Sequence, residues 1–536
     1  GLAVSGGVDS MALATLCSDL AHEISEDDPD DRFRAFIVDH KLREESTEEA
    51  LTVKRALGHL GIQSEVLQMQ WPENVDAKNL PGLEHHARKL RFRLLGQACR
   101  KHGIEALLVA HHSDDQAETV MMRLIDGHQG RGLRGIRESN DIPESFGIHG
   151  VHRSHASDET YDPDIPFAMD AQHSIENEDG GVQVLRPLLP FTKDRLVATC
   201  LEAETPWVED QTNQDPTLTP RNAIRHLFNN YRLPAALGKN SLLGISQRVS
   251  ERIARQSQEV DDMINSVDAV LDVRSGEIAV RFPRNFFPPN SMPLSNPIGY
   301  GYIPSNFTVA PYDSEHGKIV GAMFLQKLIH LVTPYESVNL SQLEMATRYL
   351  FPKLFISDPI QPSEAHVPPS FTVGGVLFER LAAPVLYFPY FTWLLSRQPY
   401  SGAQTLPSLS ISLTAKEPSP PPQPPGFQLY DGRFWIRVHN PSATHHLIVR
   451  PFRPTDLKPL RASLQGSMHE RFEGLRIDAA KSKARYTLPV IAAVNPNDST
   501  DTDTILAMPS FGVKINKGPI AEEWKDLRWD IRYKRL

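Results

Sequence analysis

The chain has 536 residues, 40% of them hydrophobic and 23% charged, which is more than one core usually fills, so two or three domains are expected. Its formal net charge of −10 argues against indiscriminate polyanion binding, although a local basic patch can still hold RNA on an acidic protein. No run of about twenty uncharged apolar residues could span a bilayer. Cys17, Cys99 and Cys200 are too widely spaced for a disulfide framework or a CxxC site, which fits a reducing compartment.

Over the first 135 residues short apolar runs alternate with amphipathic stretches: LAV at 2–4, AFIVDH at 35–40 and ALLVAHH at 106–112. That rhythm predicts a doubly wound, parallel α/β sheet with its sites at the carboxyl ends of the strands. The glycine that opens the chain lies directly on a strand, so the native N-terminus and any targeting peptide are expected to be missing. Cytoplasm and mitochondrial matrix both remain open. Residues 138–181 lose periodicity and are rich in Ser, Asp, His, Glu and Pro, the composition of a mobile insertion. Order returns at VQVLRPLLPF and ends in a polar stretch before Arg225, giving a first domain over 1–232. Ile245, Val249, Ile253, Val260, Ile264 and Val267 fall near a 3.6-residue period and open a mainly helical segment over 233–369. Strand-like FTVGG, FWIRVHN and HHLIVRPF then predict a β-rich α+β domain over 370–536, with a Pro-rich spacer at 417–426.

SGGVDSMALA follows a strand and opens a helix, the context of a phosphate-binding loop. Gly6 and Gly7 let the backbone approach an anion, the helix start offers free N–H donors, and Ser5 and Ser10 add hydroxyls. An ordinary strand-to-helix turn is the bland alternative. The GxxxxGK[ST] pattern is absent. In AHHSDDQAET, Asp115 and Glu118 lie one helical turn apart beside Asp114 and the pair His111 and His112. Such a cluster suits Mg²⁺ or an ammonium group, a metallohydrolase centre, or a helix start capped by Asp114 or Asp115.

Strand-SGGxDS-helix resembles the PP-loop ATP pyrophosphatases, whose members adenylate a substrate oxygen and release pyrophosphate. VDHKLREES at 38–46, EHHARKLRFRLL at 84–95, AHHSDDQAETVMMRLIDGHQGRGLRGI at 110–136, RPLL at 186–189 and PWVEDQTNQDPTLTPRNAIRHLF at 206–228 resemble, in order, the blocks of tRNA(Ile)-lysidine synthetases. Two departures stand out: Lys41 where that family has Gly, and Phe92 where it has Tyr. The insertion at 138–181 and the Pro-, Asn- and Tyr-rich loop at 283–316 suggest a eukaryotic, fungal or organellar version.

The resemblance implies a ligase that uses ATP and Mg²⁺ to activate cytidine 34 of tRNA(Ile) with a CAU anticodon, which the ε-amine of L-lysine then attacks. It implies that Ser5, Gly6, Gly7, Val8, Asp9 and Ser10 hold ATP, and that Asp114, Asp115 and Glu118 bind lysine or Mg²⁺, with Asp9 and Asp115 as metal ligands. Arg88 and Arg91 would steady the activated intermediate. His40, Arg43, Asn213, Asp215, Arg221, Asn222 and Arg225 would face the RNA, with Arg248, Arg252 and Arg255 along its backbone. A homodimer is admitted, and no membrane is expected. The rivals are another PP-loop tRNA modifier such as a thiolase, weakened by the lack of a CxxC pair, and a catalytically silent tRNA-binding protein.

Overall fold

The computed structural model describes residues 1–24, 32–42, 45–71, 82–155, 175–208, 219–282, 314–355, 368–381, 393–412, 426–478, 483–494 and 503–536. The chain divides into two compact units, one of residues 1–158 and 180–255, the other of residues 159–179 and 256–536.

In chain order the first 255 residues form β1 (Leu2–Ala3), α1 (Val8–Ile24), β2 (Arg34–Asp39), α2 (Ser46–His59), β3 (Gln63–Gln68), α3 (Leu83–Lys101), β4 (Ala106–Leu108), α4 (Ser113–Ile125), β5 (Ser139–Asp141), β6 (Glu176–Asn177), β7 (Gln183–Leu185), α5 (Lys193–Glu202), α6 (Pro220–Asn230) and the start of α7 (Lys239–Ser266). The first unit is built on one sheet of order β3-β2-β1-β4-β7-β5, parallel throughout except for β5, which runs antiparallel to β7. Both faces are covered, as an all-parallel core requires. Alternate residues of β2 show why: Ala35 and Ile37 pack with α1, α2 and α5, whereas Phe36 packs on the other face with Phe92, Leu95 and Cys99 of α3. The direction of winding reverses between β1 and β4. The loops leaving these two strands carry SGGVDS and HHSDDQ, so the expected motifs meet at the topological switch point, where doubly wound sheets bind ligands.

The reading of 138–181 as a mobile insertion needs correction at both ends. Residues 139–141 form β5, Ile142 and Val151 are buried beneath α3, and Ile175 joins a core of the second unit. Scattered apolar residues in polar sequence are enough to seat these flanks on existing cores. The middle of the segment, 156–174, lies outside the described residues, as does nearly all of the Pro-rich stretch at 417–426.

The second unit continues α7 and adds β8 (Asp268–Asp272), β9 (Glu277–Arg281), α8 (Ser314–His330), α9 (Glu344–Leu350), β10 (Ser370–Val373), β11 (Val376–Arg380) and β12 (Trp393–Arg397). It continues with β13 (Leu409–Ile411), β14 (Gln428–Tyr430), β15 (Phe434–His439), β16 (His446–Pro451), α10 (Leu457–Ala462), α11 (Ser467–Asp478), β17 (Pro489–Val494), β18 (Asp503–Met508), β19 (Val513–Lys514), α12 (Pro519–Glu523) and β20 (Arg528–Tyr533). Among the described residues its strands form the sheets β10-β11-β12-β9-β8, β13-β16-β17-β18-β19 and β14-β15-β20-β6. Because β9 pairs with β12, the expected helical segment and the start of the β-rich part share one sheet, with α8 packed on it through Phe324, Leu328 and Ile329. The division at 369/370 therefore runs through a single core. The division at 232 likewise differs from the compact units, which part within α7 at 255/256. Among the described residues no helix is long and apolar enough to cross a membrane.

Candidate active site

The SGGVDS loop is held open by its own side chains. The Ser5 amide donates to Ser10 Oγ at 3.2 Å, and Ser10 Oγ donates to the Gly7 carbonyl at 2.9 Å. The first ladder bond of α1 runs from the Met11 N–H to the Gly7 carbonyl, so the preceding amides lie at the helix start, where the dipole favours an anion. Gly6 takes φ = +87°, and a Cβ there would stand 2.4 Å from Val53 Cγ2 of α2. Its carbonyl accepts from the Val208 amide at 2.9 Å, which ties the PWV block to the loop.

The HHSDDQ loop meets it through His112. This ring caps α4: its Nδ1 accepts from the Asp114 amide at 3.2 Å, and the His112 amide donates to Asp115 Oδ2 at 3.1 Å. The cap is therefore the histidine, not either aspartate, and Asp115 completes a reciprocal capping box. With Nδ1 accepting, the ring proton lies on Nε2, which stands 3.6 Å from Asp9 Oδ2 and 3.5 Å from Asp115 Oδ2. Burial opposes ionisation of Asp9, but the His112 ring, with Lys193 and Arg225 farther off, outweighs it and holds the carboxyl below its ordinary range. Burial likewise opposes the charged form of His112, and Asp9, Asp115 and Asp114 overcome it and raise its pKa.

Two of the acids expected to receive lysine or Mg²⁺ are already engaged. Asp114 accepts the Lys193 amide at the start of α5 at 2.9 Å and pairs with the ammonium of Lys239. Glu118 is 3% exposed and takes a fork from Arg225, Nε to Oε1 at 2.9 Å and Nη2 to Oε2 at 3.1 Å. Arg221 Nε stands 3.0 Å from Glu118 Oε2 as an ion pair, out of line for a hydrogen bond. Arg221 also lies 3.7 Å from Asp115 Oδ1. A buried carboxylate between two guanidiniums is compensated, so Asp115 and Asp9 are the acids left for a ligand. Arg221 and Arg225 thus fasten α6 to α4, and Asn222 is buried on the same helix, its amide donating to the Thr219 cap at 3.1 Å.

Mg²⁺ can be tested against this donor set. Asp9 Oδ1 is buried without a hydrogen-bond partner, an orphaned acceptor that a cation would satisfy. Among the described residues no group of three or more acids, imidazoles or thiols is arranged as a complete metal site. Asp9 and Asp115 would accordingly hold a Mg²⁺ only as a partial ligand set, one that leaves most of the ion's hydration in place.

Arg88 is exposed and Arg91 half-buried on α3, their guanidiniums 4.8 and 5.5 Å from the ring centre of buried Phe92. Phenylalanine in place of tyrosine at 92 therefore still serves as the platform for both arginines. Lys41 adopts φ = +53°, the left-handed backbone that glycine favours. Its Nζ donates to Thr47 Oγ1 at 2.8 Å and lies 3.4 Å from Asp39 Oδ2. Asp39, at the end of β2 and 1% exposed, also accepts from the Lys41 amide and from Ser46 and Thr47, so it organises this turn. The His40 carbonyl accepts from the Trp71 indole at 2.8 Å. Arg43, Asn213 and Asp215 lie outside the described residues. Arg248, Arg252 and Arg255 are all exposed on α7.

Sequence reasoning overlooked Asp39, the capping role of His112, and Gln116, whose side chain donates to Ser246 Oγ of α7 at 2.9 Å and to the Ile136 carbonyl at 3.1 Å. The only local signals were the D of VDH, the second His of the pair, and a serine breaking the apolar stripe of α7.

Residues 1–231 match the PP-loop domain family. A probable tRNA(Ile)-lysidine synthase of Schizosaccharomyces pombe is 27% identical over 97% of this chain and 93% of its own length. A tRNA(Ile)-lysidine synthase of Bradyrhizobium diazoefficiens is 31% identical over 53% of this chain and 64% of that protein. Among solved structures, a U34-tRNA thiolase from Methanococcus maripaludis overlaps 47% of this chain and 71% of its own at 16% identity, with a TM-score of 0.31. Residues 1–231 thus carry a PP-loop domain, and the chain as a whole is similar to proteins named tRNA(Ile)-lysidine synthase.

Proposed function

We propose that the chain is an ATP-dependent carbon–nitrogen ligase that converts the wobble cytidine of tRNA(Ile) to lysidine. The observation that carries this reading is the convergence of Asp9 and Asp115 on one His112 proton, which joins the nucleotide loop to the DDQAET helix.

In the first step O2 of cytidine 34 attacks the α-phosphorus of ATP, and pyrophosphate leaves. The amides and hydroxyls of Ser5 to Ser10 would cradle the phosphates. Mg²⁺ held by Asp9 and Asp115 would supply charge neutralisation as pyrophosphate departs. Arg88 and Arg91, braced on Phe92, would face the growing negative charge. In the second step the lysine ε-amine attacks C2, the C–O bond to AMP breaks, and the amine loses a proton. Of the three acids, Asp115 is the one with carboxylate capacity left to receive the incoming ammonium. The anticodon loop already unstacks, so presenting its base costs less than extrusion from a duplex. Cys17, Cys99 and Cys200 are buried and unpaired, which leaves the thiolase alternative without exposed thiols for sulfur transfer.

The test supplies labelled lysine, ATP and unmodified tRNA(Ile) with a CAU anticodon. Incorporation of label with matching AMP release is expected, and its absence rejects the reading. Asp9→Asn and Asp115→Asn should each abolish transfer with little loss of tRNA binding; full turnover in both removes these residues from the mechanism.

A further inference from the structure

Arg186 directly follows β7, at the same carboxyl edge as the loops already described, and no step above uses it. It is 7% exposed, yet among the described residues it makes no ion pair with a carboxylate. Its contacts are neutral: Nε donates to His111 Nδ1 at 3.2 Å, and Nη1 donates to the Arg137 carbonyl at 2.8 Å and to Asn140 Oδ1 at 2.6 Å. Charged neighbours make matters worse, since the charges of Arg88 and Arg137 bear on the same guanidinium, and burial with these two holds its pKa down to about 10. A cation taken out of water without a counter-ion is costly and persists where a ligand supplies the missing charge.

The fork is also oriented. Nε and Nη1 are pinned, which leaves the N–H groups of Nη2 for a ligand. His111 accepts at Nδ1, so its remaining proton is on Nε2. A planar guanidinium pre-set in this way suits an oxyanion better than a lone lysine does.

We propose that Arg186, seated by His111 and Asn140 and reinforced by Arg88 and Arg137, binds a backbone phosphate of the RNA strand whose base enters the site. The same chemistry could serve a phosphate of ATP. The nucleotide loop, however, leaves β1 at the switch point, whereas Arg186 leaves β7 on the far side of β4, so the strand beyond the target base is the nearer source. The proposal rests on the tRNA-modifying reading above.

The experiment measures binding of unmodified tRNA(Ile) and, separately, of ATP to the full chain over a range of salt. Arg186→Gln should weaken tRNA binding about 10- to 100-fold, as loss of a charge-assisted hydrogen bond does. It should lower the salt slope by about 1 and leave ATP affinity unchanged. Arg186→Lys should recover only part of the loss. Because a buried variant can misfold, Arg137→Ser serves as the exposed companion: it keeps the carbonyl that orients Arg186, removes one charge, and should weaken tRNA binding a few-fold at unchanged melting temperature. Unaltered tRNA affinity and salt slope in Arg186→Gln and Arg137→Ser overturn the site. A loss confined to ATP overturns its assignment to RNA. A wild-type chain that binds tRNA but transfers no lysine refutes the ligase reading alone, and one that binds no tRNA refutes both.

Discussion

Substituting Gly6 by alanine probes the nucleotide loop through two separable costs. The left-handed φ of +87° penalises any Cβ by about 1 to 2 kcal/mol. The new methyl would stand 2.4 Å from Val53 Cγ2, and Val53 is 4% exposed in the core beneath α2, so it has little room to retreat. Overpacking of this kind costs about 1 to 3 kcal/mol. Gly6→Ala should therefore destabilise the N-terminal unit by about 2 to 5 kcal/mol and weaken ATP binding, because relief of the clash displaces the loop. Val53→Ala alone should cost roughly 2 kcal/mol through lost burial. In the double variant the methyl has space, so a urea-denaturation cycle should find it less destabilised than the two single losses combined by about 1 to 3 kcal/mol. Additivity within about 0.5 kcal/mol, or a Gly6→Ala protein with unchanged stability and ATP affinity, would show that α2 does not hold this loop.

Other consequences are open to measurement. Glu118→Gln should cost about 1 to 3 kcal/mol by leaving the partly exposed Arg221 and Arg225 without their shared carboxylate, and Arg225→Met should cost less because Arg221 still faces Glu118; denaturation curves in which Arg225→Met is the worse of the two would contradict a compensated ion cluster. Lys41→Gly should raise stability by up to about 1 kcal/mol, since relief of φ = +53° exceeds the worth of a partly exposed ion pair, and a fall in melting temperature would make the Lys41–Asp39–Thr47 contacts the larger effect. His152 is buried, and burial, with Arg153 beside it, lowers its pKa to about 4. The unfolded chain therefore binds the extra proton between about pH 6.5 and 4. Stability should fall as pH drops through that window by roughly 3 kcal/mol. His152→Gln should flatten this part of the stability–pH curve, and an unchanged slope would place the titration elsewhere.

The sequence by itself determined the α/β rhythm, the order of the motif blocks, and hence the family resemblance, because strand periodicity and loop chemistry are local properties carried by adjacent residues. SGGVDS and HHSDDQ could be read as ligand loops, and the parallel sheet then had only one edge on which to bring them together. Which acids are free to act was not legible. Asp114 is engaged by Lys239, 125 residues away, and Glu118 by Arg225, 107 residues away, so their compensation exists only once α6 and α7 pack on α4. The flanks of the polar stretch 138–181 were misread for a related reason: Ile142 and Val151 are isolated apolar residues whose burial depends on a surface supplied by α3. Arg186 is the sharpest case. RPLL marks it as a motif residue, but only the tertiary structure decides that it is a buried cation among other cations, because charge compensation depends on distance in space and not on spacing along the chain.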